Sequence, residues 1–345
     1  MIKSWLFEFF HQPLDVAART DPRAVHDHYR WYIDLWTRAD ARAFEGIFFS
    51  EHHFGAAYSP SPNLIVSHVA ARTKRLRLGV LGSVTPYATP WRIVEEIAML
   101  DHITDGRLEV GVVSGIPPEL AVVGIAADVA AARHAEILEV LDAALKNAVV
   151  SHHGTQWNFD NLEILPRCLQ QPSPPLWTAV RTAASAEKAG RRGWKACGGF
   201  LSAKEIAEVF ESYRIGAGEA GHPCGPEQIA VRRMVTFVDR PSQQRDAVNR
   251  AKRALLDVLS ASAGPLPPWA VLLDRPDESI AALSDEEFVS GTPEQVAAQL
   301  IEQCQVIGAG HLLVAFSERE YGKLEESHEL FSSQVAPLLR EADVA

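Results

Sequence analysis

Residues 89–112, TPWRIVEEIAMLDHITDGRLEVGV, combine a helix, the end of that helix and a buried strand in one continuous stretch. Thr89 and Pro90 are typical of the cap and first position of a helix, and Gly106 is typical of the residue that ends one. Apolar residues recur between them on one helical face, at Ile93, Ile97 and Leu100. The apolar run LEVGVV follows at once. The stretch therefore predicts a helix that leads into a buried strand, which is the repeating unit of an α/β fold.

Eight short apolar runs along the chain predict strands, and segments of helical period separate them. They are Trp5–Phe10, Gly46–Ser50, Leu76–Leu81, Leu108–Val113, Leu176–Val180, Ala196–Phe200, Ile229–Val238 and His311–Phe316. Eight buried strands fit a closed (β/α)8 TIM-type barrel better than an open sheet. A stretch rich in Gly and Pro around residues 261–290 predicts an irregular insertion at the C-terminal rim. We therefore expect residues 1–345 to form a single barrel domain.

Composition limits the class of partner. The chain has 345 residues, 47% of them hydrophobic, and a formal net charge of −11, which argues against a nucleic-acid or anionic-membrane surface. A small-molecule partner is favoured. The first ten residues carry an apolar patch shorter than a signal core, so we expect a cytoplasmic protein. The four cysteines are far apart and form no CxxC pair, which predicts neither a metal site nor a disulfide framework.

The stretch FFSEHHFGAAYSPSPN, residues 48–63, ends a buried strand on the acid Glu51 and the imidazoles of His52 and His53. In a barrel of this kind, the loops that leave the C-terminal ends of the strands build the active site. Histidine also titrates close to neutral pH, as a proton-transfer group must. The alternative is that the two histidines only satisfy hydrogen bonds of the loop and the core. Adjacent strand residues point to opposite faces, so the pair does not favour one shared metal ion.

Several segments in order resemble the bacterial luciferase-like flavin monooxygenases. They are SEHHF, SPSPNLIVSHVAARTKRLRLG, TPWRIVEEIAMLDHITDGRLEVGV, QQPSPPLW, FVSGTPEQVAAQL and GAGHLLVAF, together with Arg133–Glu136. The resemblance spans essentially the whole chain. It implies a barrel that binds reduced FMN from a separate flavin reductase. It also implies reaction with O2 through a C4a-(hydro)peroxyflavin to oxygenate a small apolar substrate, and a homodimer.

The resemblance also implies roles for the residues at the end of the second and third strands. His52 matches the catalytic histidine of the family, and Glu51 and His53 become its support. At the third strand, the run LGVLGSVTP matches the segment in which family members hold a non-proline cis peptide beneath the flavin ring. We expect that bond between Leu81 and Gly82.

A phosphate site is implied after the fifth strand, where Thr182 and Ser185 match family phosphate contacts at the start of a helix. The alternative is that these two hydroxyls only cap the helix. Arg133, expected to open a helix of its own, is a second phosphate candidate, and its alternative is a surface pair with Glu136.

One departure from the family lies at the end of the fourth strand, where many relatives carry an arginine and this chain has Ser114. Either Arg133 or Arg181 compensates for the missing charge, or the flavin binds more weakly. Two other functions stay open: an oxidoreductase that uses the deazaflavin F420 on the same fold, and a non-catalytic flavin-binding protein. The acidic composition favours FMN over F420, because the polyanionic F420 tail needs more basic residues.

Overall fold

A closed barrel of eight parallel strands forms the centre of the molecule, in a computed structural model that describes residues 1–13, 15–54, 57–260 and 283–344. The barrel strands are β1 (Lys3–Glu8), β2 (Gly46–Phe49), β3 (Arg77–Val84), β4 (Leu108–Val113), β7 (Leu176–Ala179), β8 (Lys195–Gly198), β9 (Ile229–Phe237) and β11 (His311–Phe316). They pair in that order, and β11 pairs with β1 to close the barrel. The predicted (β/α)8 TIM-type barrel is confirmed.

The helices cover the outside of the barrel. They are α1 (Pro22–Arg38), α2 (Pro62–Ala70), α3 (Pro90–Ile103), α4 (Pro117–Val122), α5 (Ala127–Lys146), α6 (Ala183–Arg191), α7 (Ala203–Ala220), α8 (Gln244–Ser260), α9 (Pro293–Ile307), α10 (Tyr321–Leu330) and α11 (Ala336–Glu341). Their apolar faces pack on the outward side chains of the strands in one large core. Within the described part of the chain, no helix is both long and apolar enough to span a bilayer.

Large side chains fill the barrel itself. The buried interior cluster is Trp5, Phe48, Leu81, Trp177, Cys197, Ala230 and Leu313. They come from seven different strands, because alternate residues of each strand point inward. The middle of the barrel is therefore a packed core and leaves only its two ends for polar chemistry.

Residues 89–112 fold as predicted, into a helix that leads to a buried strand. Helix α3 begins at Pro90 behind the cap residue Thr89, and Gly106 adopts a φ of +72° just before β4. Helix α5 differs from expectation, because it begins at Ala127 and Arg133 lies in its second turn. Ala126 caps it without a side-chain hydrogen bond, so no Ser, Thr, Asp or Asn marks its start in the sequence.

Two strand features were not predicted. An antiparallel hairpin, β5 (Val149–His153) and β6 (Asn158–Glu163), precedes β7. A ninth parallel strand, β10 (Phe288–Gly291), pairs with the end of β9. The predicted irregular insertion therefore ends before residue 288, and its residues 261–282 lie outside the described part of the chain.

Candidate active site at the C-terminal end of the barrel

The segment Glu51–His53 leaves the barrel at the C-terminal end of β2, as expected. All four residues of β2 are buried, and the backbone N–H of Ser50 still donates to the carbonyl of Glu8 on the neighbouring strand. The chain then turns away from the sheet. The three polar side chains are consequently held at the rim, with 13–21% of each exposed.

His52 is oriented by a carboxylate that the sequence reasoning missed. Its Nδ1 lies 3.0 Å from Oε1 of Glu119, which is 1% exposed and belongs to the short helix α4 behind β4. The ring stacks on Phe9 at 6.2 Å between centroids. Nε2 has no hydrogen-bond partner among the described residues. A buried acceptor at Nδ1 fixes which nitrogen carries the proton, so Nε2 is the atom available to a ligand.

His53 and Glu51 form a second pair that connects β2 to β3. His53 Nε2 lies 3.1 Å from Glu51 Oε1, and Glu51 Oε2 accepts the backbone N–H of Val84 at 3.2 Å. The hydrogen bond with Glu51 raises the pKa of His53 above its usual 6.5, although partial burial opposes this. Both carboxylate oxygens of Glu51 are thus used inside the loop, which suits the predicted supporting role.

The end of β3 supplies a close-packed surface beside these pairs. The peptide bond Leu81–Gly82 is cis, which confirms that expectation. A Cβ at Gly82 would lie 2.9 Å from Cγ1 of Val113, so only glycine fits against β4. Farther along, the Tyr87 ring contacts His53 at 4.8 Å between centroids, and its buried hydroxyl has no hydrogen-bond partner among the described residues. Burial raises the pKa of Tyr87 to about 12.

Thr182 and Ser185 stand where β7 gives way to α6. Thr182 Oγ1 accepts the backbone N–H of Ser185 at 3.2 Å, and Ser185 Oγ accepts the backbone N–H of Thr182 at 3.1 Å. Both hydroxyls therefore cap helix α6. Phosphate binding by the same residues stays a prediction, and the end of α6 that would face an anion lies at the correct end of the barrel.

The basic candidates lie in different surroundings. Arg133 donates from Nη1 to the carbonyl of Pro86 at 3.2 Å, in the turn that follows β3. It does not pair with Glu136, whose carboxylate instead accepts the backbone N–H groups of the β5–β6 turn. The Arg181 guanidinium lies 5.7 Å from the Phe200 ring centroid. Ser114 is exposed directly after β4.

The four cysteines are free thiols, and no group of three His, Cys, Asp or Glu side chains is placed to hold a metal ion in the described ranges. Around Glu51–His53 the polar side chains therefore interact as pairs, and the His52–Glu119 pair includes a carboxylate that is almost fully buried.

Comparison with known proteins identifies the family of this chain. The sequence profile of a family described as luciferase-like monooxygenase matches residues 4–311. An uncharacterized protein of Sinorhizobium fredii, y4wF, is 33% identical over 302 residues, which cover 84% of this chain and 86% of that protein. The oxygenase component of a flavin-dependent trigonelline monooxygenase from Acinetobacter baylyi is 33% identical over 178 residues, about half of each chain (50% and 49%).

Solved structures share the fold. Monooxygenase RslO1 from Streptomyces bottropensis has a TM-score of 0.81 at 24% identity, over 97% of this chain and 99% of its own. An F420-dependent secondary alcohol dehydrogenase has a TM-score of 0.77 at 14% identity, over 99% of each chain. The fold alone therefore accommodates enzymes of both kinds.

Proposed function

Because this chain belongs to the luciferase-like monooxygenases, we propose that it is the oxygenase of a two-component system that accepts reduced FMN from a separate reductase. It uses O2 to oxygenate a small organic substrate. The observation that carries the proposal is His52, held at Nδ1 by the buried Glu119 while Nε2 has no partner among the described residues. The likeness to a flavin-dependent oxygenase component supports the two-component arrangement.

The residues at the rim fit a flavin. Ser50 Oγ and Tyr87 Oη are buried polar atoms without a partner in the described part of the chain, and they follow the ends of β2 and β3. Thr182, Ser185 and Arg133 would hold the phosphate, and the Leu81–Gly82 peptide would lie beneath the ring. Reduced FMN, when bound, supplies the two electrons that activate O2.

The chain's own contribution is control of one proton and exclusion of water. With Nδ1–H donated to Glu119, neutral His52 presents Nε2 as an acceptor, and protonated His52 presents it as a donor. The Phe9 ring covers one side of the imidazole. A proton can therefore be held or moved at Nε2 of a side chain that is only 17% exposed.

The experiment that tests this proposal compares three histidine variants. The protein is loaded anaerobically with reduced FMN, mixed with O2, and the rate of hydrogen peroxide release is followed by stopped flow. His52→Ala should bind reduced FMN as tightly as the parent but release peroxide at least about tenfold faster, because a positioned acid or base contributes about 10²–10⁴ to a rate. His53→Ala should change the rate less, and His68→Ala, an exposed position on α2, should change nothing.

The same measurements identify the competing functions. If reduced F420 binds tightly and reduced FMN does not, the chain is an F420-dependent oxidoreductase. If FMN binds and neither His52→Ala nor His53→Ala alters peroxide release, the histidines are structural and the monooxygenase proposal is wrong.

A further inference from the structure

A buried arginine, Arg232, lies inside the barrel near the C-terminal end. It belongs to β9 and is 5% exposed. Its guanidinium lies 4.4 Å from the Phe200 ring centroid and less than 6 Å from the rings of Phe7 (5.7 Å) and Phe9 (5.6 Å) on β1 and just beyond it. The aromatic faces of these three side chains thus position one guanidinium near the C-terminal end of the barrel.

The charges around Arg232 do not balance. The adjacent Arg233 is fully buried on the opposite face of β9, and both arginines share a single carboxylate, Glu287, which is 0% exposed. Glu287 Oε2 also accepts the backbone N–H of Phe200 at 2.7 Å and Nη1 of Arg233 at 3.2 Å. Two buried guanidinium groups and one buried carboxylate leave one positive charge without a buried counterion in this cluster.

Arg232 also has unused hydrogen-bond donors. Its Nη1 is buried and has no hydrogen-bond partner among the described residues. Its Nη2 lies 2.5 Å from Glu287 Oε1, outside hydrogen-bond geometry. A buried charged donor without an acceptor is strongly unfavourable, so such a group in a native protein calls for an acceptor from water, an ion or a ligand.

We propose that Arg232 Nη1 binds a carboxylate of the organic substrate, an inference that rests on the proposed function. One surplus positive charge matches a monoanion, and a guanidinium is the usual donor for carboxylates. Phe9 lies between the two sites, because its ring contacts both the Arg232 guanidinium and the His52 imidazole. The substrate would place its carboxylate at Arg232 and the atom to be oxygenated near His52, on the other side of that ring.

The alternative is purely structural: Arg232, Arg233 and Glu287 would only fasten β10 and the residues before it to β9. Arg77 offers a matched control, because it forms the comparable pair with Glu109 at the opposite end of the barrel and gives further hydrogen bonds to the Leu108 carbonyl and Gln170. If the Arg232–Glu287 pair is only structural, Arg232, like Arg77, should not bind anions in preference to neutral ligands.

The test measures binding of benzoate, acetate, benzenesulfonate, phenyl phosphate and neutral benzamide to the flavin-free protein by ligand-observed NMR. We expect benzoate to bind about 10–100-fold more tightly than benzamide, as one charge-assisted hydrogen bond provides. Arg232→Gln should abolish that preference and Arg77→Gln should retain it. Absence of benzoate and acetate binding, or an equal preference in Arg232→Gln, would overturn the proposal.

Two more variants decide the question if Arg232→Gln fails to fold. Glu287→Gln removes the competing carboxylate and should raise benzoate affinity several-fold, whereas a structural role predicts no gain. Arg232→Lys should retain part of the preference. Tight binding of phenyl phosphate that Arg232→Gln abolishes and Arg133→Ala leaves unchanged would assign Arg232 to a phosphate and contradict the substrate proposal. Reduced-FMN binding is measured separately, so its failure would reject the proposed function without altering the benzoate result.

Discussion

The two ends of the barrel treat their polar groups in opposite ways. At the N-terminal end, Trp5 Nε1 donates to Nδ1 of His311 at 3.0 Å, and the other nitrogen of that ring lies 3.0 Å from the Glu227 carbonyl oxygen. Burial lowers the pKa of His311 to about 3, so the ring stays neutral. Glu109 contacts Arg77 and accepts Trp177 Nε1 at 2.5 Å. These polar groups satisfy one another's hydrogen bonds without any ligand.

At the C-terminal end, buried polar atoms lack partners within the described part of the chain. They are His11 Nδ1, Ser50 Oγ, Tyr87 Oη, Arg232 Nη1 and Ser317 Oγ, each on a barrel strand or in the segment that follows one. A buried group without a partner destabilises the protein, so this end is incomplete by itself. We therefore expect the N-terminal end to stabilise the fold and the C-terminal end to be the one that ligands complete.

The largest expected effect lies at the N-terminal end. Glu109→Gln leaves Arg77 without its counterion, and we expect the free energy of unfolding to fall by about 3 kcal/mol. This is the low end for a broken buried pair, because the Arg77 side chain is 26% exposed. Chemical denaturation measures the change. The dissociation constant of reduced FMN should stay the same, and a large rise in it would break the distinction between the two ends.

Replacing Arg133 should affect flavin affinity and leave stability almost unchanged, the opposite of the Glu109 variant. Arg133→Ala should weaken binding of reduced FMN by about 2 kcal/mol if the guanidinium pairs with the phosphate. Stability should change little, because the hydrogen bond that the Arg133 side chain makes among the described residues is a single one, to the Pro86 carbonyl. Anaerobic fluorescence titration gives the affinity, with Arg214→Ala on the outside of α7 as the control. Equal affinities of the two variants would reject the phosphate assignment.

Tyr87→Phe tests the unpartnered hydroxyl directly. Removing a buried O–H that has no acceptor should raise the free energy of unfolding of the flavin-free protein by about 1 kcal/mol. The same change should weaken binding of reduced FMN, because the ligand would lose that hydrogen bond. A decrease in stability would show that the Tyr87 hydroxyl already forms a hydrogen bond in the flavin-free protein, as the polar groups at the N-terminal end do.

The smallest effect concerns the pH dependence of the Glu51–His53 pair. Glu51 raises the pKa of His53 in the folded protein, so the pair stabilises the fold fully below the unfolded pKa near 6.5. That stability is lost as the pH rises through the raised folded pKa. NMR titration of the His53 ring in Glu51→Gln should therefore give a lower pKa than in the parent. An unchanged His53 pKa would show that Glu51 does not raise it.

The accuracy of the sequence predictions followed the degree of burial. Strand β4 was predicted at its exact bounds, because a parallel strand buried on both faces appears as a continuous apolar run. The hairpin strand β5 has alternating exposed residues and no such run, so it was missed. The start of α5 was placed too late because Ala126 gives no capping signal.

The sequence by itself determined the barrel and the position of His52 at the C-terminal end of β2, since apolar period and strand order are local properties of the chain. Only the tertiary structure decided the partners. Glu119 is 67 residues from His52 and Glu287 is 54 from Arg233. Such pairs form because parallel strands bring distant segments to the same end of a barrel, and the sequence carries no local signal of which side chains meet there.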